Sequence, residues 1–241
     1  MNDKATGIVI KQIDYKDNDA IITVYCSEYD KVSLYVKGYK KITSKNVYAT
    51  QLFDESAFLF DYNPAKGFQI LKSASLIREH APIKADYDKT VIASLICEVA
   101  DELWPEGGYS ELKSALDMLD DYPESYTVLN LYLAQALKQA GIGPNVDGCS
   151  ICGSTEGIEA VSMSEGGFVC HKCNSQLHLP VSEVSYLRQV RIINKASFEV
   201  ADKLIGLGLD SFQLTELLMS FMNNYLDANF RSYKSLVNLH K

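Results

Sequence analysis

Two Cys-x-x-Cys pairs constrain this chain more than any other feature. They are Cys149-Ser150-Ile151-Cys152 and Cys170-His171-Lys172-Cys173, with seventeen residues between Cys152 and Cys170. That spacing matches a four-thiolate metal site. Two residues between paired cysteines let one tight turn aim both sulfurs at one ion. Two such turns then supply the tetrahedron that a closed structural zinc site requires. Gly153 follows the first pair, and Gly166-Gly167-Phe168-Val169 leads into the second. A knuckle turn followed by a turn and strand, as in a zinc ribbon, is therefore expected around Cys149, Cys152, Cys170 and Cys173. Redox dithiol chemistry is the rival reading, but it needs only one pair, opening a helix after a strand. His171 or His178 replacing one sulfur is a further alternative. Four thiolates leave no open position for water, so catalytic zinc is not expected. Iron suits the same ligand set. Cys26 and Cys97 sit in apolar runs and read as small buried residues.

Residues 1–80 carry the signature of short strands. Runs at 6–11, 20–25, 31–37, 51–61 and 68–71 are rich in β-branched and aromatic residues. In the third, Val32, Leu34 and Val36 alternate with Ser33, Tyr35 and Lys37, the period of a half-buried strand. Ser27-Glu28-Tyr29-Asp30 and Asn63-Pro64-Ala65-Lys66-Gly67 are turn signals. Five short strands in this length predict a small closed barrel of the OB type. An SH3-like barrel satisfies the same pattern.

The period becomes helical from about residue 83. Ile92, Leu95, Ile96, Val99 and Leu103 lie on one face, and Pro105-Glu106-Gly107-Gly108 should end that helix. Further helices are expected over 110–119 and 125–140, the latter striped by Leu129, Tyr132, Leu133, Ala136 and Leu137, with Gly141 as C-cap. Two shorter helices should follow Pro180. A strong one should start at Asp210, with Asp210 and Gln213 as a capping box and Leu214, Leu217, Leu218, Phe221 and Tyr225 facing inward. The expected class is thus α+β. An N-terminal five-stranded OB-fold β-barrel, 1–80, precedes an all-helical domain, 81–241, carrying an inserted four-Cys zinc finger at about 145–178.

Charge separates the two parts. The chain of 241 residues has a net charge of −8. Residues 1–80 hold 11 Lys+Arg against 10 Asp+Glu, while 81–241 hold 12 against 21. Two surfaces with different partners are implied. No apolar run approaches the roughly eighteen residues of a membrane helix. The start Met1-Asn2-Asp3-Lys4-Ala5 reads as neither signal nor transit peptide. Metal-spaced cysteines without an export signal lead us to expect a reducing cytoplasm.

No phosphate loop, dinucleotide fingerprint, nucleophile elbow or zinc-protease motif occurs, and the four histidines have no acid–base partner in sequence. An enzyme is not expected. One stretch does suggest binding. Lys37-Gly38-Tyr39-Lys40-Lys41-Ile42-Thr43-Ser44-Lys45-Asn46 leaves the third strand with four lysines and no acid. Lysines tracking phosphates beside rings that stack on bases is how OB-folds hold single strands. Lys37, Lys40, Lys41 and Lys45 are the candidate phosphate contacts, with Tyr35 or Tyr39 stacking. A solvated lysine loop is the plainer alternative.

Taken in order, these pieces resemble the bacterial recombination mediator family RecO. Gly7-Ile8-Val9-Ile10-Lys11 with Tyr15 and Asp19 is similar to its opening, and Lys31-Val32-Ser33-Leu34 with Lys37-Gly38 to its third strand and loop. Gly141-Ile142-Gly143-Pro144 before Cys149-x-x-Cys152, Gly166-Gly167 before Cys170-x-x-Cys173, and Arg231 with Lys234-Ser235 near the end complete the likeness. The resemblance implies an N-terminal OB-fold, a helical domain and an inserted zinc finger. It also implies binding of single- and double-stranded DNA, annealing of complementary strands, and help in loading RecA onto DNA coated by single-strand binding protein. RecR and the acidic C-terminal tail of that coating protein are the implied partners, in a cytoplasmic, nucleoid-associated setting. Two features depart from the family. Tyr39-Lys40-Lys41 stand where arginines are frequent, which keeps the charge but loses the bidentate fork. The second part is strongly acidic, which concentrates DNA contacts on the barrel. A protein-interaction scaffold, with the barrel binding protein or RNA, is the alternative function.

Overall fold

The computed structural model describes residues 3–41, 44–103, 107–226 and 228–241. Met1-Asn2, Ile42-Thr43 of the lysine loop and Pro105-Glu106 of the expected helix stop lie outside them. The chain divides into two compact units, 1–122 with 230–241, and 123–229.

In the first unit, β1 (Asp3–Tyr15), β2 (Asp19–Cys26), β3 (Asp30–Val36), β4 (Glu55–Phe60) and β5 (Gln69–Arg78) close a barrel in the order β1-β2-β3-β5-β4. Three antiparallel pairings follow the hairpins, and β4 returns to β1. The barrel closes through a short parallel contact, Leu34 with Gln69 and Tyr35 with Ile70. This is the connectivity of an OB-fold. Val9, Ile22, Val24, Leu34, Val36, Phe58 and Phe60 fill the interior, each fully buried or nearly so. Truncating one, as in Leu34→Ala, should cost about 2–5 kcal/mol. The expected strand over 51–61 starts only at Glu55. Phe53 adopts φ 73° and gives its N–H to Val9, so the chain bends before β4 begins.

α1 (Ala81–Ala85), α2 (Tyr87–Leu103), α3 (Tyr109–Asp121) and α8 (Arg231–Leu239) belong to the same unit as the barrel. Ile92, Leu95, Ile96 and Val99 of α2 are completely buried. Lys31 on β3 reaches the backbone carbonyl and the carboxylate of Asp101 at the end of α2. The Nζ of Lys89 donates to the carbonyls of Leu119 (2.6 Å) and Tyr122 (3.2 Å). A helix C-terminus leaves such carbonyls unpaired, and a cation there also opposes the macrodipole. Strand gives way to helix at residue 80, whereas the packing boundary falls at residue 122.

In the second unit α4 (Ser125–Gln139) is the centre, with α6 (Val184–Lys195), a 3₁₀ segment over Phe198–Leu204 and α7 (Phe212–Tyr225) packed around it. Val128 through Ala134, Ala136 and Leu137 are buried, so α4 is covered on every side. The expected capping box does not form. No side chain caps α7, and the Asp210 carboxylate instead accepts the N–H groups of Tyr126 (2.7 Å) and Thr127 (3.2 Å) at the start of α4. Tyr225, expected inside, is 53% exposed, while Met219 and Met222 complete the inner face of α7. No helix among the described residues is long and apolar enough to cross a membrane.

Candidate metal centre and nucleic-acid interface

The finger is built from a knuckle, the hairpin β6 (Ile158–Ser162) and β7 (Gly167–Cys170), and the short α5 (His171–Leu177). In the knuckle, Gly153 donates its N–H to the Cys149 carbonyl at 2.8 Å and sits at φ 75°. Cys149 N–H bonds to Ser154, and Ser150 N–H to Phe168 on β7. These bonds fix the first pair against the strand that carries the second. Gly167 is required by close approach. A Cβ there would lie 2.3 Å from the Asn145 carbonyl oxygen, and its φ is 149°. Cys170 ends β7 and begins α5, and Cys173 lies in the first turn.

The sulfurs of Cys149, Cys152, Cys170 and Cys173 all lie within 4.8 Å of one another, with Cys152 and Cys170 at 3.6 Å. Bonds of about 2.3 Å to a tetrahedral ion put sulfurs about 3.8 Å apart, so the donor set fits a metal ion. The second pair does open a helix after a strand, as a redox pair would. The first pair converges on the same point, and that convergence is the geometry of coordination. The electrostatics agree. Burial raises the Cys149 thiol, but backbone N–H groups of Cys170, Cys152 and Ile151 outweigh it and bring it down to about 6. Hydrogen bonding with Cys152, then burial, then the other two sulfurs, push Cys173 up to about 12. One negative charge settles readily and the next is resisted, which a central cation would relieve. His171 is 80% exposed on its side chain and engages Glu159 at 2.8 Å through Nδ1. His178 occupies the left-handed cap of α5.

On the barrel, Gly38 at φ 67° turns the chain after β3. Its N–H donates to Asp19 Oδ1 at 2.7 Å, and the Tyr35 hydroxyl donates to Asp19 Oδ2. Those two bonds, with Lys16 and Lys37 nearby, hold the Asp19 carboxyl below its usual range despite partial desolvation. Asp19 therefore fixes both the ring of Tyr35 and the lysine turn. Lys37, Lys40, Lys41 and Lys45 are all exposed. Lys40 pairs with Asp14 at 2.8 Å. Tyr39 is half-buried against the barrel core, and its hydroxyl donates to Gln12 (2.9 Å) and accepts from Gln51 (3.1 Å). Tyr35 instead joins Tyr15 and Phe68 in a ring cluster, with centroids 5.8 and 5.9 Å away. Lys16 lies over two of these rings. Tyr15, Lys16 and Phe68 were not singled out as site residues by sequence reasoning. Phe68 reaches Tyr35 only through the parallel β3–β5 closure, which no local pattern encodes.

The family model described as Recombination protein O N terminal matches residues 1–80, and that described as Recombination protein O C terminal matches residues 84–234. DNA repair protein RecO of Listeria monocytogenes is 32% identical over 197 residues, covering 77% of this chain and 76% of its own. DNA repair protein RecO of Exiguobacterium sibiricum is 30% identical over 177 residues, covering 71% and 70%. The protein of the same name from Oceanobacillus iheyensis is 26% identical over 256 aligned residues, covering 95% of this chain and 98% of its own.

Proposed function

This chain belongs to the RecO family of DNA repair and recombination proteins, and on that premise we propose that it is a mediator without covalent chemistry. It binds single- and double-stranded DNA, anneals complementary strands and helps load RecA onto DNA coated by single-strand binding protein. RecR and the coating protein's C-terminal tail are its partners, and it works in the cytoplasm on the nucleoid. The observation that carries this reading is the exposed lysine turn leaving β3 of a five-stranded barrel.

Annealing needs two strands held close, their phosphate repulsion screened and their bases free to pair. Lys37, Lys40, Lys41 and Lys45 supply the screening, with Tyr35 or Tyr39 beside them. The Lys40–Asp14 pair is solvent-exposed and weak, so a phosphate displaces it at little cost. If about four phosphates are neutralised, log affinity for a single strand falls against log salt with a slope of about −3. Replacing Lys40 and Lys41 by Ala should weaken all sequences alike, because phosphate contacts carry no base information. A flat salt response, or unchanged binding by that variant, would remove the lysine assignment.

Zinc is the ion we assign to the four thiolates, in a folding role. Cys149, Cys152, Cys170 and Cys173 would hold it, and elemental analysis of the purified protein separates it from iron. We further propose that the working division runs near residue 80, with the barrel over 1–80 and the helical part over 81–241 carrying the finger at about 145–178.

The central test is annealing. Complementary strands, each coated with single-strand binding protein, are mixed with and without this protein, and pairing is followed by fluorescence transfer. Acceleration without ATP is the expected result. No acceleration by folded, metal-loaded protein, with or without RecR, would overturn the mediator reading and favour a protein scaffold.

A further inference from the structure

The outer face of the barrel carries an apolar row that the lysine turn does not account for. Ile13 pairs with Ile21, Ile21 with Tyr35, and Tyr35 with Ile70. Directly paired residues on adjacent strands project to the same side of a sheet. These four therefore form one line across β1, β2, β3 and β5. Ile13 is 53% exposed and Ile70 58% exposed. Between them Ile21 and Tyr35 are half-buried. Two further rings, Tyr15 and Phe68, stand beside the row in contact with Tyr35 and with each other. Tyr15 meets Tyr35 edge-on at 87°, and Phe68, itself 38% exposed, lies 6.2 Å from Tyr15.

A cation completes the arrangement. Lys16 Nζ lies 5.3 Å from the Tyr15 ring centre and 5.9 Å from that of Tyr35. Lys16 reaches this position from φ 56°, a left-handed conformation that few residues other than glycine adopt. Asp19 accepts from Tyr35 and Gly38 and also feels the charges of Lys16 and Lys37, while Asp14 pairs with Lys40. Lys16 and Lys37 border a partly exposed aromatic surface, of which Phe68 is the most open ring. Flat apolar rings next to solvent-facing cations complement a polymer of flat bases and phosphates. Duplex bases are stacked on one another, so only an unpaired strand can lie on these rings.

We propose that Tyr15, Phe68 and Ile70 form a base-contacting platform for single-stranded DNA, with Lys16 and Lys37 on the adjoining phosphates. The proposal rests on the DNA-binding reading above. It moves base contact away from Tyr39, whose ring faces the core, and it makes the platform the source of any preference for single strands.

The test uses the full-length protein and fluorescence anisotropy. Three labelled probes are compared: oligo(dT) of about 16 nucleotides, an abasic strand of the same length, and a duplex. Wild-type protein should bind oligo(dT) roughly tenfold or more tightly than the abasic strand. Phe68→Ala and Tyr15→Ala should each erase most of that difference, leaving abasic binding and its salt slope within a factor of about two of wild type, as phosphate contact by the lysines predicts. Phe68→Trp should restore it. Equal wild-type binding of oligo(dT) and abasic strand would overturn the platform while leaving phosphate binding by the barrel intact. Equal weakening of both probes by the ring variants would overturn it too. Binding of no probe would remove the DNA-binding reading itself, and the platform with it.

Discussion

Cys170 holds two positions at once, the last residue of β7 and the residue that opens α5. An ion held by the four sulfurs would therefore tie a strand to a helix through this residue. Cys170→Ser keeps the size but replaces a soft thiolate with a poor ligand. We expect that variant to lose bound metal and to unfold at lower temperature, because a site of this kind contributes folding free energy directly. Metal content by elemental analysis and a thermal melt decide it. Full metal occupancy at wild-type stability would refute a structural site. Gly167→Ala attacks the same finger from the backbone, since its Cβ would sit 2.3 Å from the Asn145 oxygen. The ligand spacing could be read from sequence because knuckle geometry is local. The surroundings of Tyr35 and Tyr39 could not. Both are tyrosines of one β3 segment and turn, yet Tyr39 turns back to Gln12 and Gln51 while Tyr35 meets rings from β1 and from the residue before β5. Only barrel closure separates them.

Asp210 shows how an element can borrow its cap. It lies just before α7, but its carboxylate satisfies the first N–H groups of α4. Four such donors are orphaned at any helix start, and an acid there also meets the positive end of the macrodipole. Asp210→Ala should destabilise the protein by about 1 kcal/mol. Gln213→Ala, the other half of the unformed capping box, should be near neutral. Chemical denaturation of the two variants distinguishes these roles, and an equal loss from both would restore a cap on α7. Asn130 adds a second tie, donating to the carbonyls of Leu209 and Ser211 while Thr215 Oγ1 donates to it at 2.7 Å. Helices α2, α3, α4 and α7 were legible because apolar residues recur at helical spacing over more than two turns. α8 was not, because its nine residues bury only Leu236 and its apolar stripe, Tyr233, Leu236 and Val237, spans little more than one turn. The side-chain partners of helix ends are long-range contacts, and Asp210 reads as a start signal for the nearer helix.

At the scale of the whole chain, the last helix returns to the first unit. Ser232 gives its N–H and its hydroxyl to Glu98 on α2, at 3.1 and 3.0 Å. The unit is thus assembled from 1–122 and the final dozen residues, an arrangement that periodicity along a sequence cannot disclose. Inside that unit barrel and helices are joined by charge as well as by apolar packing. Glu55, only 5% exposed at the start of β4, receives Lys113 Nζ at 2.6 Å and the Tyr109 hydroxyl, both from α3. Burial alone would raise its carboxyl, but Lys113 and Tyr109 outweigh burial and hold it below the ordinary value of 4.5. A carboxyl depressed on folding stabilises the native state above its unfolded value, and that stabilisation is lost as pH falls through the lower folded value. Glu55→Gln keeps an acceptor for Tyr109 but abolishes the charge, leaving Lys113 to Asp117 at 3.2 Å. We expect the variant to be less stable than wild type at neutral pH by roughly 1–3 kcal/mol. The gap should then narrow on acidification below 4.5, because wild-type Glu55 becomes neutral while the amide of the variant has nothing to titrate. Thermal melts of both proteins across that range test the assignment. A gap that stays constant with pH would mean that the charge on Glu55 is not what joins β4 to α3.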